Sequence, residues 1–279
     1  MNDLLDRLLA RGGKSSRPDL DGKLGVEMFD EYTGRLSAGG VEARVTIEQE
    51  DWIHLAAPAR EPPEPTEAMR RNHALPGNLR FAQVHQAMWL LADTQVDGAA
   101  HLGATLGEFK EGLASALGRE VPAGEAVAAE TAKAQVEAAV ARLNWDEDRL
   151  AKRGEGWEFR VRTGGEVQAV AAVPGKRADL CFSAAILAVE PLNREVVAGA
   201  ALQLNGELRL ARYALAGDEL VAEARLHAGV LGPAWLAAAA RAVAVAARHA
   251  RPLRLLAECP CVREWYGRIF PPGGNDRND

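Results

Sequence analysis

The chain has 279 residues, of which 48% are hydrophobic, 26% charged and 5% aromatic, a balance typical of a folded globular protein. The net charge of −6 and the pI near 5.6 show no excess of basic residues, so a nucleic-acid partner is not expected. The longest apolar stretch falls short of the roughly 20 residues that a membrane helix requires. No secretory signal pattern is present, and a cytoplasmic protein without a membrane span is expected.

The first half of the chain predicts helices and strands in alternation. Leu4, Leu5, Leu8 and Leu9 form an apolar helical stripe that ends at Gly12-Gly13. Alternating apolar residues after this helix predict strands, and a short helix follows a cluster of prolines. The predicted strands are 24–32, 41–48, 52–57, 78–86 and 88–96, and the predicted helices are 66–74 and 106–117.

The second half predicts the same order of elements. A long helix comes first, and Ala216-Gly217-Asp218-Glu219 has the composition of a hairpin turn between two late strands. Pro233 is well placed to open the last helix, which stops before Pro252. The predicted strands are 157–163, 167–173, 180–189, 208–215 and 220–226, and the predicted helices are 127–153, 193–203 and 233–251.

Four pairs of short segments recur in the same order, at a separation near 130 residues. They are 77–84 with 206–213, 25–28 with 156–159, 106–109 with 231–235, and 64–65 with 190–191. We therefore predict an α+β protein of two tandem α-β-β-β-α-β-β-α units, each an antiparallel sheet packed with helices, that together form a pseudo-dimer. The predicted units are 1–121 and 125–270, and 271–279 is expected to be a disordered tail.

This order of elements resembles the type III secretion chaperone-like fold, a superfamily that also includes the YbjN-like proteins. The local pattern agrees: a short helix, then Gly-x-Leu-Arg-hydrophobic-Ala at 77–82 and 206–211, a second strand, and a helix opened by Leu-Gly. The resemblance implies a non-enzymatic protein-binding module, chaperone- or adaptor-like, in which two units pair and bind a polypeptide partner. Secretion chaperones usually carry one unit per chain, so a role in secretion does not follow.

No residue pattern predicts catalysis, a cofactor or a metal. Cys259-Pro260-Cys261 offers two thiols, but a zinc site needs four ligands and no second pair exists. His54 and His85 fall in predicted strands, where a lone histidine is most simply a surface or hydrogen-bonded residue. The chain has no Gly-x-Ser-x-Gly elbow and no complete phosphate-binding loop.

Two of the six tryptophans, Trp89 and Trp235, are candidates for contact with the other unit or with a partner, because large aromatic residues are enriched at the centres of interfaces. Two alternatives remain open: an enzyme whose site lies unflagged between the halves, and a small-ligand sensor. A deep pocket lined by convergent titratable groups would favour an enzyme, whereas a shallow apolar groove or an open sheet edge would favour polypeptide binding.

Overall fold

The structure is a computed structural model that describes most of the chain between Val26 and Glu258. The described residues are 26–30, 32–38, 40–47, 52–59, 61–95, 99–116, 126–143, 150–175, 179–228 and 231–258. The predicted first helix, the Cys259-Pro260-Cys261 motif and the predicted tail lie outside these ranges.

The first unit contains six strands and two helices within the described residues. They are β1 (Val26–Met28), β2 (Thr33–Ala38), β3 (Val41–Ile47), β4 (Trp52–Pro58), α1 (Pro65–Ala74), β5 (Arg80–Val84), β6 (Ala87–Gln95) and α2 (Ala99–Ala116).

Within the described residues, the second unit repeats this order, with one helix before its first strand and a further short helix at its end. Its elements are α3 (Ala129–Arg142), β7 (Ala151–Arg153), β8 (Gly156–Thr163), β9 (Glu166–Pro174), β10 (Asp179–Ala188), α4 (Arg194–Asn205), β11 (Arg212–Ala216), β12 (Glu219–His227), α5 (Pro233–His249) and α6 (Arg251–Glu258).

The two sheets have the same strand order, which confirms the predicted α+β class and the tandem units. The first sheet runs β1-β2-β3-β4-β6-β5 and the second β7-β8-β9-β10-β12-β11, with antiparallel neighbours throughout. Strands β5 and β11 are thus equivalent edge strands. Both the β2–β3 and the β8–β9 turns contain a glycine at positive φ, Gly40 (81°) and Gly165 (89°), a conformation that other residues rarely adopt.

Four strands, rather than the predicted three, precede the middle helix of each unit. The predicted strand 24–32 is interrupted because the Asp30 carboxylate accepts hydrogen bonds from the backbone N–H groups of Tyr32 and Thr33, both at 2.7 Å, and turns the chain. In the second unit a helix is predicted over 127–153, but α3 ends at Arg142. The last three residues of the predicted helix, Ala151–Arg153, form strand β7 instead.

The strand pairing corrects the alignment of the two units. The β5–β6 and β11–β12 hairpins have the same length, which sets Arg80-Phe81-Ala82 against Arg212-Tyr213-Ala214. The predicted match of 77–84 with 206–213 is therefore three residues out of register. The match of 25–28 with 156–159 is also wrong, because the counterpart of β1 is β7. Leu106-Gly107 lies inside α2 and does not open it.

The hydrophobic core is continuous through both units. Helix α5 packs on the second sheet, and α3 packs on α5. The buried side of α5 is mostly alanine, and such small side chains let the helix approach the sheet closely. Between the units the arrangement is crossed, since α1 packs against β11 and α4 against β5.

Two equivalent asparagines join the edge strands β5 and β11. Asn72 at the end of α1 accepts a hydrogen bond from the Phe81 N–H (2.6 Å) and donates to the carbonyls of Phe81 (3.2 Å) and Tyr213 (3.3 Å). Asn205 at the end of α4 accepts from the Tyr213 N–H (2.7 Å) and donates to the carbonyls of Tyr213 (3.0 Å) and Phe81 (3.3 Å). Both asparagines are fully buried, and this asparagine bridge satisfies the edge groups of Phe81 and Tyr213.

Replacing either bridge residue, as Asn72→Ala or Asn205→Ala, is expected to lower the free energy of unfolding by about 2–3 kcal/mol, because a buried backbone N–H loses its acceptor. The double variant is expected to lose more unfolding free energy than the two single variants together. In each single variant the remaining asparagine still donates to both carbonyls, whereas the double variant leaves both carbonyls without a donor. Denaturant unfolding of the four proteins measures the coupling.

Asn193→Ala is the matched control, because Asn193 is a buried asparagine that donates to the Ala257 carbonyl (2.6 Å) outside the bridge. Its effect should add to that of Asn72→Ala. Simple additivity of the two bridge variants would contradict the shared hydrogen bonding.

Candidate functional site

Arg80 at the start of β5 reaches into the second unit. Its Nε donates to the Asn205 carbonyl (2.7 Å) and its Nη2 to the Leu208 carbonyl, where the C-terminal end of α4 leaves carbonyls without helical partners. Nη2 also lies 2.5 Å from Asp93 Oδ2, and Asp93 Oδ1 lies 2.7 Å from Nδ1 of His54. Burial alone would raise the pKa of Asp93, but Arg80 and His54 hold it below its ordinary value. The His54–Asp93 pair thus supports the arginine.

Arg212 makes the reciprocal contact from the second unit. It donates to the carbonyls of Leu75 (2.8 Å) and Gly77 (3.1 Å) beyond the C-terminal end of α1. Oε1 of Glu223 accepts hydrogen bonds from Nε (2.9 Å) and Nη2 (2.7 Å) of Arg212. The other carboxylate oxygen of Glu223 lies 2.7 Å from Nδ1 of His73. Burial would raise the pKa of Glu223, yet Arg212 and the hydrogen bond from His73 outweigh it and lower the pKa to about 2.

Arg225 completes this charged cluster between the units. Its Nη2 donates to the His73 carbonyl (2.7 Å), and its Nη1 lies 3.4 Å from Asp179 Oδ2. Cys181 sits opposite Arg225 on the neighbouring strand, and burial raises the pKa of its thiol to about 12. These groups neutralise one another and cap helix ends, which is a structural use of charge. The thiol is not a nucleophile at neutral pH.

The two units differ at this position. His54 pairs across the strands with Asp93 in the first sheet, whereas Cys181 pairs with Arg225 at the equivalent place in the second. Each arginine thus has a histidine–carboxylate pair beside it, but the pair at Arg212, His73–Glu223, is built from different positions and joins the two units.

A narrow cleft lies between the units. It is lined by Asn78, Thr105 and Glu108 from the first unit and by Arg225, His227 and Trp235 from the second, among others. Burial, together with the nearby carboxylates of Asp179 and Glu111, raises the pKa of Glu108 to about 8. Glu108 is therefore a carboxyl group that stays mostly protonated at neutral pH, a property often found at ligand sites.

The outer face of the second sheet, opposite the core, carries four small apolar side chains on β9. We call Val167, Ala169, Ala171 and Val173 the apolar row. The intervening Val170 and Ala172 are fully buried in the core, whereas Val167 is 46% and Val173 37% exposed. Strand β9 is thus apolar on both faces, and one of them is open to solvent.

In the first sheet, the strand equivalent to β9 is polar on its outer side. The shared turn geometry sets Glu42, Arg44 and Thr46 of β3 against Val167, Ala169 and Ala171 of β9. The first face is also internally neutralised, since Arg35 lies 2.6 Å from Glu27 Oε2 and 3.3 Å from Glu42 Oε1. The same fold therefore tolerates either a polar or an apolar outer face.

The two predicted tryptophans lie in different places. Trp235 lines the cleft between the units, and Trp89 is half-buried on the outer face of the first sheet, beside Ala56, Ala82 and Leu91. A tryptophan not singled out from the sequence touches the other unit: the Arg209 guanidinium lies 5.1 Å from the centre of the Trp52 ring.

Cys259 and Cys261 lie outside the described residues, so the structure says nothing of a thiol site there. Among the described residues, no group of three or more His, Cys, Asp or Glu side chains is arranged to hold a metal ion. Within the same ranges no helix is long and apolar enough to cross a membrane.

Sequence reasoning missed the inter-unit residues Asn72, Arg80, Asn205, Arg212 and Glu223. A signal for four of them exists, since an asparagine precedes Arg-Phe-Ala at 80–82 and Arg-Tyr-Ala at 212–214 at a similar spacing along the chain. Nothing local marks Glu223, because its partners come from both units.

A scan against protein-family models finds none that matches the chain, and a search of the curated proteins finds no significant match in sequence.

Glu108→Gln tests the raised pKa. A carboxyl group whose pKa rises on folding stabilises the fold below its unfolded pKa, and this contribution is lost as pH rises through the folded pKa near 8. The glutamine variant should match the wild type near pH 4 and exceed its unfolding free energy by roughly 3 kcal/mol at pH 7. Urea unfolding across pH 4–9 measures the difference.

Glu130→Gln on α3 is the control, because Glu130 is exposed in the first turn of its helix. It should show no such trend. A Glu108→Gln effect that is constant with pH, or that grows toward acid, would contradict a raised pKa.

Proposed function

We propose that the protein is a non-enzymatic polypeptide-binding module, chaperone- or adaptor-like, whose binding surface is the outer face of the second sheet. The observation that carries this proposal is the exposed apolar row on β9. Solvent-facing positions of an antiparallel sheet are ordinarily polar, and contiguous apolar positions there typically mark an interaction surface.

The first unit supports this interpretation because it supplies an internal comparison. Its outer face carries Glu42, Arg44 and Thr46 where the second carries Val167, Ala169 and Ala171. Since the fold forms with polar residues at these positions, packing within the unit does not explain the apolar ones. Binding to another polypeptide does.

The use of the charged residues also supports a non-enzymatic role. The buried Asp93, Arg212 and Glu223 and the partly buried His54 cap helix ends or neutralise each other, and the buried Cys181 thiol stays protonated at neutral pH. The resemblance to the type III secretion chaperone-like fold points the same way, since it implies paired units that bind polypeptides.

The cleft around Glu108 favours a second candidate function, a small-ligand sensor with its site between the units. It brings a carboxyl group of raised pKa beside Asn78 and Trp235. This candidate is weaker, because the Arg225 guanidinium in the cleft is already engaged by the His73 carbonyl and Asp179. A ligand that raises the melting temperature of the wild type but not of Glu108→Gln would favour it.

The proposal is tested by giving the second sheet the residues of the first. The triple variant Val167→Glu, Ala169→Arg, Ala171→Thr is expected to fold, because the changes are at the surface and occur naturally in the first unit. Immobilised wild-type protein should retain a polypeptide from native lysate. The triple variant should bind this polypeptide at least about tenfold more weakly, a change of roughly 1.4 kcal/mol in binding free energy. Quantitative mass spectrometry measures the retention.

Val245→Glu is the matched control, since Val245 is a valine of similar exposure (38%) on α5. It should retain the same polypeptide as the wild type. Equal retention by all three proteins would show that the row does not bind, and a bound cofactor without any polypeptide would overturn the proposal.

A further inference from the structure

Two leucines of the second unit leave most of their surface in solvent. Leu192 is 73% and Leu255 56% exposed, more than any other large aliphatic residue that the structure describes. Leu192 lies in the 3₁₀ helix Pro191–Asn193 ahead of α4, and Leu255 lies on α6, where Leu253 is the buried residue. Leu255 therefore faces away from the core, since residues two apart on an α-helix point in nearly opposite directions. Covering both leucines would add hydrophobic stabilisation that the described residues do not supply.

Both leucines lie near the point at which the chain leaves α6. The Asn193 side chain donates to the Ala257 carbonyl (2.6 Å) and holds the 3₁₀ helix against the last turn of α6. Leu192 is the sequence neighbour of Asn193, and Leu255 precedes Ala257 by two residues. Helix α6 is the last described element, and residues 259–279 follow it outside the described ranges. The next part of the chain therefore starts within reach of both leucines.

The sequence after α6 contains an apolar surface of matching size. Five large apolar residues fall at positions i, i+3, i+4, i+7 and i+8, the spacing of one side of an α-helix, and charged residues or glycine stand between them. They are Val262, Trp265, Tyr266, Ile269 and Phe270. A helix over 262–270 would be about 13 Å long at 1.5 Å per residue, close to the length of the eight-residue α6.

The connection to this segment is short. Only residues 259–261 separate the end of α6 from Val262. So short a tether keeps the apolar segment at a high effective concentration beside the leucines, and a segment of another molecule would have to displace it. The chain itself is thus the favoured source of the side chains that cover them.

We propose that residues 262–270 fold back on the second unit and cover Leu192 and Leu255 with their apolar side chains. This contact uses other elements than the apolar row of β9. It therefore goes beyond the proposed function and does not depend on it.

Limited trypsin digestion of the full-length protein tests the contact, because a protease cleaves only a segment that has come off the surface. Cleavage after Arg268, inside the segment, should be at least tenfold faster in Leu192→Asp and in Leu255→Asp than in the wild type. Mass spectrometry of the timed digest gives the rate. Cleavage after Arg277, beyond the segment, is the reference in each sample and should be unchanged.

Trp265→Asp changes the other side of the same contact. It should accelerate cleavage after Arg268 by a similar factor, and combining it with Leu192→Asp should add little, because both changes break one interaction. Val245→Asp on α5 is the matched control, since Val245 is also an exposed aliphatic residue (38%) but lies elsewhere on the unit. It should cleave like the wild type.

Equal cleavage rates after Arg268 in the wild type and in both leucine variants would overturn this inference. Faster cleavage in Val245→Asp as well would show a general loss of stability and would also overturn it. Multiplied effects of Trp265→Asp and Leu192→Asp in the double variant would show that the two residues act separately. None of these results bears on the apolar row, whose lysate test stands by itself.

Discussion

The structure depends on how two sheet edges meet without pairing directly. Strands β5 and β11 each end a sheet inside the molecule, and unpaired edge groups there would be costly to bury. Asn72 and Asn205 satisfy the groups of Phe81 and Tyr213 from both sides at once. Each arginine then caps a helix of the opposite unit: Arg80 caps the C-terminal end of α4, and Arg212 caps that of α1. The duplication is thus more than a repeated sequence, because each copy completes hydrogen bonds that the other lacks.

This constraint decides where function can lie. The histidine–carboxylate pairs support the arginines that hold the units together, and burial keeps the Cys181 thiol protonated. The units have kept the asparagines and arginines at this junction but differ on the parts of their outer faces that the junction leaves open. On the first face, Arg35 forms ion pairs with Glu27 and Glu42, whereas β9 of the second face carries the apolar row. The difference between the copies is therefore the main functional clue.

The sequence predicted those parts of the fold that local patterns determine. The alternation along β3, the proline that opens α5 and the Gly217-Asp218 turn all lie where they were expected. The break at Asp30 was missed, because alternation does not reveal a side chain that turns its own backbone. The sequence predicted the repeat but with the wrong alignment. The two Gly-x-Leu-Arg segments are more alike in sequence than the Arg-Phe-Ala and Arg-Tyr-Ala segments that are equivalent in the structure. The Glu223 cluster joins residues 150 apart, so no local signal could predict it. The exposure of the apolar row could not be predicted, because the alternation of apolar and polar residues does not identify the outer face of a strand whose two faces are both apolar.

We conclude that the two units complete each other through the β5–β11 junction. This dependence can be measured by producing residues 1–121 and 125–270 as separate chains in the same cell. The two chains are expected to purify together as a stable 1:1 complex, with the mass of one copy of each by native mass spectrometry. Recovery of the two chains as separate folded monomers that do not associate would show that the units do not depend on each other.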